Sequence, residues 1–369
     1  MVLPKDTEKI LSVQIETTSR CNLDCTTCLK PAYSDDWQEQ EMTDSLFHRI
    51  LRQIPPKTTV HLQGWGEPLL HPATLEHIRL LKAHGCIVSF TTNGTIMDRN
   101  MAASLVETGL DGLTFSMAGS STHVHDKLRG AGSFNSVRES IRLFNAVRNQ
   151  YKTSIPKVAV SYLVTPETVR ELPAAVAWCR SRGVDAFVSV HLTQAGCRSQ
   201  EEMQFLLSKN ECHHYRLIRL RSHLAAVFSK MRLELDQFHP TLTPVCGKNP
   251  INNLFISVNG NVSPCVFLSP PVDREIAWRY KGESCLQTPV VFGNVHNATL
   301  AEIWEQQEYH KFRTSFEIRK EFHDSKLSGI GCSLAGSAQL DAAIAAIKEF
   351  FSENPPPGAC RCCAKIDGY

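Results

Sequence analysis

The stretch LSVQIETTSRCNLDCTTCLKP, residues 11–31, joins an apolar, strand-like run to a loop that carries three cysteines. Cys21, Cys25 and Cys28 have the spacing C-x3-C-x2-C. A structural zinc site normally takes four protein ligands, so a local group of three implies either a distant fourth ligand or a position that is left open. The rest of the chain has to distinguish these two cases.

The bulk composition is that of a folded chain without a polyanionic partner. Of its 369 residues, 42% are hydrophobic, and 39 Lys and Arg face 37 Asp and Glu for a net charge of +2. This balance argues against nucleic acid or an anionic membrane as partner. The N-terminus, MVLPKDTEKI, lacks the features of a signal peptide, and no apolar run approaches the roughly 20 residues of a membrane span, so we expect a cytoplasmic protein.

Cysteine is abundant, with 14 residues, and it is clustered. Three cysteines lie between residues 21 and 28, and Cys360, Cys362 and Cys363 lie near the C-terminal end. In a reducing compartment such clusters are more typical of metal ligands or catalytic groups than of disulfides.

Strand-like and helix-like segments alternate from residue 11 to about residue 235. Six apolar runs predict strands, at 11–18, 59–64, 86–94, 112–117, 157–164 and 185–192. Amphipathic runs between them predict helices at 43–54, 74–85, 98–108, 134–150 and 168–182, with Thr43 as an N-cap and Gly85 as a C-cap. Six strands with helical crossovers predict an α/β fold with a parallel sheet, either open or curled into a partial barrel.

Four short motifs follow the first four strands. The cysteine loop follows the first, GWGEP (64–68) the second, TTNG (91–94) the third and SMAGS (116–120) the fourth. Ligand-binding groups gather at the carboxyl ends of parallel strands. We therefore expect all four motifs to lie on one rim of the sheet.

The pattern changes near residue 240. A helical stretch over about 201–234 and the Pro-rich FHPTLTP (238–244) precede NNLFISV-NG-NVSPCVF, which predicts a β-hairpin with an Asn-Gly turn. We predict a core domain over residues 10–195, a helical linker region of unknown role over 196–240, and a small α+β domain over 241–369.

Three clustered thiolates suit an iron-sulfur cube with one iron left unligated by protein. The cysteine spacing after a first strand resembles the defining motif of the radical SAM superfamily, and the companion motifs resemble that family in order and placement. GWGEP resembles its GGEP segment, TTNG resembles the end of its third strand, and HDKLRG (125–130) resembles the stretch after its fourth strand.

The resemblance implies a partial (β/α)6 TIM-like barrel and the family's chemistry. A 4Fe-4S cluster on Cys21, Cys25 and Cys28 binds S-adenosylmethionine at its open iron, and reductive cleavage gives a 5'-deoxyadenosyl radical that abstracts hydrogen from a substrate. An external reductant such as flavodoxin or ferredoxin is implied. The residues it places around the cofactor are Gly64, Gly66, Glu67, Pro68, Asn93, Ser116 and Arg129.

Two positions depart from the family pattern. Thr27 precedes the third cysteine, where the family usually has an aromatic residue, and Trp65 stands at the second glycine of GGEP. The first departure concerns packing of the adenine, whereas Gly66 and Glu67 keep the part of the motif that approaches the ligand.

The C-terminal part resembles a SPASM or twitch extension, in the spacing of its first cysteines and in GNVHNATLAEIWEQ (293–306). The resemblance implies one auxiliary 4Fe-4S cluster on Cys246, Cys265, Cys360 and Cys363. Cys362 is an alternative for one of the terminal pair, and Cys285 or Cys332 are further candidates. An all-cysteine zinc site would accept the same ligands.

The stretch LQGWGEPLLHP with this extension most resembles a set of metalloenzyme maturases of the radical SAM/SPASM type. That resemblance implies an enzyme that acts on a protein, or on the metal cofactor of a protein, as a maturase or oxidoreductase. A peptide-modifying enzyme and a small-molecule radical dehydrogenase are alternatives. The non-enzyme alternative is a binding protein that uses zinc for folding alone.

Overall fold

A computed structural model of the chain describes residues 10–208, 211–227, 229–328 and 334–369. In chain order its strands are β1 Ser12–Ile15, β2 Thr59–Leu62, β3 Ile87–Thr92, β4 Gly112–Met117, β5 Lys157–Val164, β6 Ala186–His191, β7 Arg232–Glu234, β8 Asn253–Ile256, β9 Asn261–Ser263, β10 Ile276–Tyr280, β11 Glu283–Gln287 and β12 Gly293–Asn294.

The helices alternate with the strands of the first half and gather at the C-terminal end in the second. They are α1 Leu29–Ala32, α2 Asp44–Leu51, α3 Thr74–Ala83, α4 Arg99–Glu107, α5 Thr122–Arg129, α6 Ser133–Gln150, α7 Leu172–Ser181, α8 Arg198–Glu202, α9 Arg216–Ala226, α10 Leu300–Trp304, α11 Gln307–Leu327 and α12 Leu334–Glu353. Thr43 caps α2, as predicted, because its side chain accepts a hydrogen bond from the N–H of Leu46.

A twisted sheet with strand order β12-β9-β8-β1-β2-β3-β4-β5-β6-β7 organises the chain. Neighbouring strands from β1 to β6 pair in parallel, so the predicted α/β class and the six predicted strands are confirmed. Parallel pairing with helical crossovers places the carboxyl ends of all six strands at one edge.

The sheet extends beyond the six predicted strands at both ends. The predicted helical stretch over 201–234 ends in β7, which pairs in parallel with β6, and only part of this stretch is helical. On the other edge, β8 of the predicted hairpin pairs in parallel with β1, while β9 pairs with β8 in antiparallel fashion. A hairpin signal specifies local pairing, but it does not specify which distant edge the hairpin joins.

The barrel strands have one apolar and one polar face. In β4, Leu113, Phe115 and Met117 are buried under the helices, whereas Thr114 and Ser116 point to the other face. The same alternation in neighbouring strands gives a polar inner surface. Among the described residues, no helix is both long enough and apolar enough to span a bilayer.

Candidate functional site

The cysteine loop lies at the carboxyl end of β1 and is held by the neighbouring loops. The N–H of Thr26 donates to the carbonyl of Leu128 at 2.9 Å, and the amide of Gln200 donates to the carbonyl of Cys28 at 2.5 Å. The thiols of Cys21, Cys25 and Cys28 are free and partly exposed. A loop fixed through its backbone leaves its three thiols available as ligands.

These thiols are close enough together to affect one another. Burial raises the pKa of Cys21 to about 11, and the neighbouring Glu67 and Cys25 raise it further. Burial also raises the pKa of Cys28 to about 12, with smaller contributions from Cys25 and Cys21. Like charges in a poorly solvated site destabilise one another, so the thiolate forms of these residues would be favoured only by a bound cation.

Gly66 allows the GWGEP segment to lie directly against the chain that enters the cysteine loop. A Cβ at position 66 would lie 2.3 Å from the carbonyl oxygen of Thr18 and 2.6 Å from that of Arg20. At Gly64, a Cβ would meet the side chain of Glu16 at 2.2 Å. Glycine is therefore required at both positions because neighbouring atoms leave no room for a side chain, and not because of an unusual φ angle.

Glu67 is buried and connects GWGEP to TTNG. Its carboxylate accepts hydrogen bonds from the backbone N–H of Asn93 at 2.7 Å, the hydroxyl of Thr92 at 2.7 Å and the N–H of Leu69 at 3.2 Å. Burial raises the pKa of Glu67 to about 7, against the effect of these donors. Pro68 begins the short 3-10 turn that follows. Glu67 therefore joins two motif loops of the rim.

Asn93 and Arg129 approach the cysteine loop from two further strands. The Asn93 amide donates to the side chain of Asn22 at 2.9 Å and lies 4.0 Å from the Cys21 sulfur. The carbonyl of Arg129, the last residue of α5, lies 4.0 Å from the Cys25 sulfur. The Nε of Arg129 is buried and has no hydrogen-bond partner among the described residues. A buried donor that the described residues leave unpaired can donate to an anionic partner such as a carboxylate.

Ser116 lies on the polar inner face of β4, opposite Ser161 of β5 in the parallel register. It faces the barrel interior, as do the other polar residues of neighbouring strands. The structure thus brings the cysteine loop, GWGEP, TTNG and the end of α5 into contact, and it places Ser116 on the inner surface below them.

A second group of thiols lies in the C-terminal part. Cys246, Cys265, Cys360 and Cys363 line one small cavity together with Lys248, Lys365 and Gln194. All four are free, and burial raises the pKa of each thiol; for Cys265 the value is about 12. The Gln194 amide donates to the Cys363 sulfur at 3.0 Å. Four thiols around one small cavity are a set of soft donors that fits an iron-sulfur cluster.

The other candidate ligands of this region behave differently. Cys362 lines the same cavity but forms a disulfide with Cys285, with Cα atoms 6.1 Å apart. The expectation that the cysteines avoid disulfides is therefore wrong for this pair. Spacing along the sequence does not show that β11, which carries Cys285, lies beside the C-terminal turn. Cys332 lies outside the described residues.

Trp65, the departure from GGEP, contacts the C-terminal part of the chain. Its indole N–H donates to the carbonyls of Val266 at 3.1 Å and Ser269 at 3.3 Å, and its ring lies edge-on to Phe267 with centroids 6.3 Å apart. Val266 directly follows the thiol residue Cys265. A tryptophan at this position therefore links the first thiol group's rim to the second thiol group.

Two ionisable residues on the first two strands lie outside the sequence motifs. Glu16, at the end of β1, accepts hydrogen bonds from the N–H of Trp65 at 2.7 Å and of Val258 at 3.4 Å, and burial raises its pKa to about 7. His61 of β2 bonds Ser89 at 2.8 Å on the inner face, and burial lowers its pKa to about 4. A polar residue inside an apolar strand run was the available signal for both.

Because of Glu16 and Glu67, we expect the metal-free protein to lose stability as the pH rises toward 8. Their pKa values rise from 4.5 to about 7 on folding, so the folded chain binds more protons than the unfolded chain between these values. Each group contributes about 3 kcal/mol at most to the free energy of unfolding. This contribution is complete below about pH 4.5 and is lost as the pH rises through 7. Urea midpoints at pH 5 and pH 8 measure the loss.

The variant Glu16→Gln keeps the shape of the side chain and removes its titration. We expect a smaller difference between the two midpoints in this variant. Glu76→Gln, which changes an exposed carboxylate paired with Arg79, is the matched control and should leave the difference unchanged. If the difference between the two urea midpoints is unchanged in Glu16→Gln, the pH dependence does not come from Glu16.

Comparisons with known proteins agree with this arrangement. Residues 15–179 match the model of the radical SAM superfamily, and residues 246–327 match the model of the SPASM domain, described as an iron-sulfur cluster-binding domain. The first covers the rim motifs, and the second begins at Cys246. The matched families bind a 4Fe-4S cluster with S-adenosylmethionine in the core and an auxiliary iron-sulfur cluster in the extension.

One relative matches most of the chain, and another matches less than half of it. The tungsten-containing aldehyde ferredoxin oxidoreductase cofactor-modifying protein of Pyrococcus furiosus is 27% identical over 81% of this chain and 82% of its own length. The mycofactocin maturase MftC of Mycobacterium ulcerans is 28% identical over 42% of this chain and 41% of its own. The solved structure of anSMEcpe with bound AdoMet shares the fold, with a TM-score of 0.62 and 19% identity over 97% of this chain and 98% of that one.

Proposed function

We propose that this chain, which belongs to the radical SAM superfamily and is an iron-sulfur enzyme with a SPASM domain, is a maturase that modifies a protein or a protein-bound cofactor. The observation that carries the site assignment is the contact of four motif loops at one rim around three free thiols. The substrate class is supported by the cofactor-modifying relative, which aligns with 81% of this chain and 82% of its own length.

The core residues have separate roles in this proposal. Cys21, Cys25 and Cys28 hold the cluster, and Arg129 offers its unpaired Nε to the cofactor carboxylate. The bound cluster and S-adenosylmethionine supply the 5'-deoxyadenosyl radical that abstracts hydrogen from the substrate.

The remaining motif residues shape the cofactor site. The backbone of Gly64 and Gly66 keeps GWGEP close to the cysteine loop, with Pro68 fixing the turn that follows. Glu67 and Asn93 together set the distance between the second and third loops. Because the Glu67 carboxylate already accepts three hydrogen bonds, we propose that it positions the rim. Ser116 faces the interior, where the cofactor ribose would lie.

The second thiol group holds one auxiliary 4Fe-4S cluster in this proposal. Four cysteine ligands, Cys246, Cys265, Cys360 and Cys363, close the coordination of such a cluster, which suits electron transfer rather than direct binding of substrate. Reductant is supplied from outside the chain by a protein of the flavodoxin or ferredoxin class.

A peptide modifier is the second candidate function, and the partial match to a mycofactocin maturase favours it. The two candidates differ in the size of the substrate rather than in the chemistry of the site. Incubating the reduced enzyme with candidate proteins and with their excised peptides separates them. Modification of the peptide alone would favour the second candidate.

Anaerobic reconstitution tests the enzymatic proposal. We expect about eight irons per chain and, after reduction, conversion of S-adenosylmethionine to 5'-deoxyadenosine. The measurements are iron and sulfide content and chromatography of the nucleoside product. Binding of zinc in place of iron, with no cleavage of the cofactor, would contradict the proposal.

A further inference from the structure

The two thiol groups differ in the charges that surround them. Beside the first group, Lys30 forms ion pairs with Asp24 at 3.3 Å and Glu39 at 2.9 Å, so its charge is neutralised locally. Beside the second group, Lys248 and Lys365 line the thiol cavity itself. The first site thus has a compensated cation, and the second has two cations in the lining of its thiol cavity.

Neither lysine of the second site has a carboxylate within ion-pair distance among the described residues. Both lysines share their cavity with the thiols of Cys246, Cys265, Cys360 and Cys363. Lys365 interacts with Asp236 only at longer range. Two half-buried ammonium groups without a counterion are costly, and an anionic group facing both would offset that cost.

Both lysines lie against the same aromatic ring in the lining of the cavity. The Nζ of Lys248 lies 5.2 Å from the centroid of Phe267, and that of Lys365 lies 5.9 Å from it. Phe267 itself packs against Trp65. Lys248 and Lys365 follow Cys246 and Cys363 by two residues each. Each lysine is therefore tethered along the chain to one of the four thiol residues, while its ammonium group lies against the ring of Phe267.

We propose that Lys248 and Lys365 compensate the negative charge of the auxiliary cluster and raise its reduction potential. This inference rests on the proposed ligand set of the second site. A 4Fe-4S cluster with four thiolates carries roughly two negative charges, and the potential of such clusters depends on nearby charge, hydrogen bonds to sulfur and exposure. Two ammonium groups favour the reduced, more negative state, and the Gln194 N–H acts in the same direction.

The test isolates the auxiliary cluster and measures its potential. Cys21, Cys25 and Cys28 are replaced together by alanine, so that one four-iron centre remains. In this background, Lys248→Met and Lys365→Met should each lower the equilibrium constant for one-electron reduction at least tenfold, a shift of about 59 mV to lower potential. A redox titration followed by the EPR signal of the reduced centre measures the shift.

Charge-preserving and remote substitutions serve as controls. Lys248→Arg and Lys365→Arg should keep the potential, as should Lys311→Met, which removes an exposed lysine paired with Glu308. If the Met variants lose the cluster while the Arg variants retain it, the result still supports compensation by charge. If the Met and Arg variants both lose the cluster, or if the Met variants keep the potential unchanged, the proposal for the two lysines is overturned and the ligand assignment stands. Absence of about four irons from the background protein overturns the ligand assignment, and this inference with it.

Discussion

Replacing Cys21, Cys25 and Cys28 together by alanine is expected to abolish cleavage of S-adenosylmethionine and to lower the iron content from about eight to about four per chain. The three thiols are free and lie together on one loop, so their joint replacement removes every protein ligand proposed for this cluster. Iron analysis and the assay for 5'-deoxyadenosine measure both effects on the same reconstituted samples.

Cys86→Ala is the matched control for this experiment. Cys86 is buried and free, and it precedes β3, at the opposite end of the strand from Asn93. This variant should retain about eight irons and full cleavage, with at most a small loss of stability from the removed sulfur. Continued cleavage by the triple variant would show that the radical chemistry lies elsewhere in the chain.

Gly66→Ala is expected to disrupt the rim. The added Cβ would lie well inside contact distance of two backbone carbonyls, those of Thr18 and Arg20, neither of which can rotate away. The GWGEP segment would have to move from the cysteine loop, at a cost of about 1 to 3 kcal/mol or more. We expect a lower urea midpoint and a large loss of S-adenosylmethionine binding, measured by equilibrium dialysis.

Gly358→Ala provides the comparison, since a Cβ at that exposed position meets nothing within 4 Å. It should leave both stability and cofactor binding unchanged. Equal effects of the two substitutions would mean that close packing at Gly66 does not determine the geometry of the rim.

Trp65 shows how a departure from a family motif can have a structural cause. As a motif position it weakens the match to GGEP, but in the fold its indole N–H reaches two carbonyls just beyond Cys265. The same segment continues to Phe267, whose ring holds Lys248 and Lys365. The cofactor rim and the second thiol group are thus connected through one side chain and one ring.

Much of the core was predictable because its signals are local. Apolar runs, an N-cap at Thr43 and turn residues specified six strands and the helices between them, and the parallel arrangement placed the motifs at one edge. The spacing of Cys21, Cys25 and Cys28 identified the first thiol group without any knowledge of distant contacts. Short β7 was missed because three residues in a partly helical region give little periodicity.

The sequence by itself therefore determined the class of fold, the order of the rim motifs and the clusters of cysteine, since each depends on neighbours along the chain. Only the tertiary structure decided that β8 joins the edge at β1, that Cys285 pairs with Cys362, and that Trp65 reaches a carbonyl 201 positions away. It also decided that Lys248 and Lys365 line the cavity of the second thiol group. These contacts join segments that are distant along the chain. Their free energies depend on loop closure and on burial, which no local sequence pattern specifies.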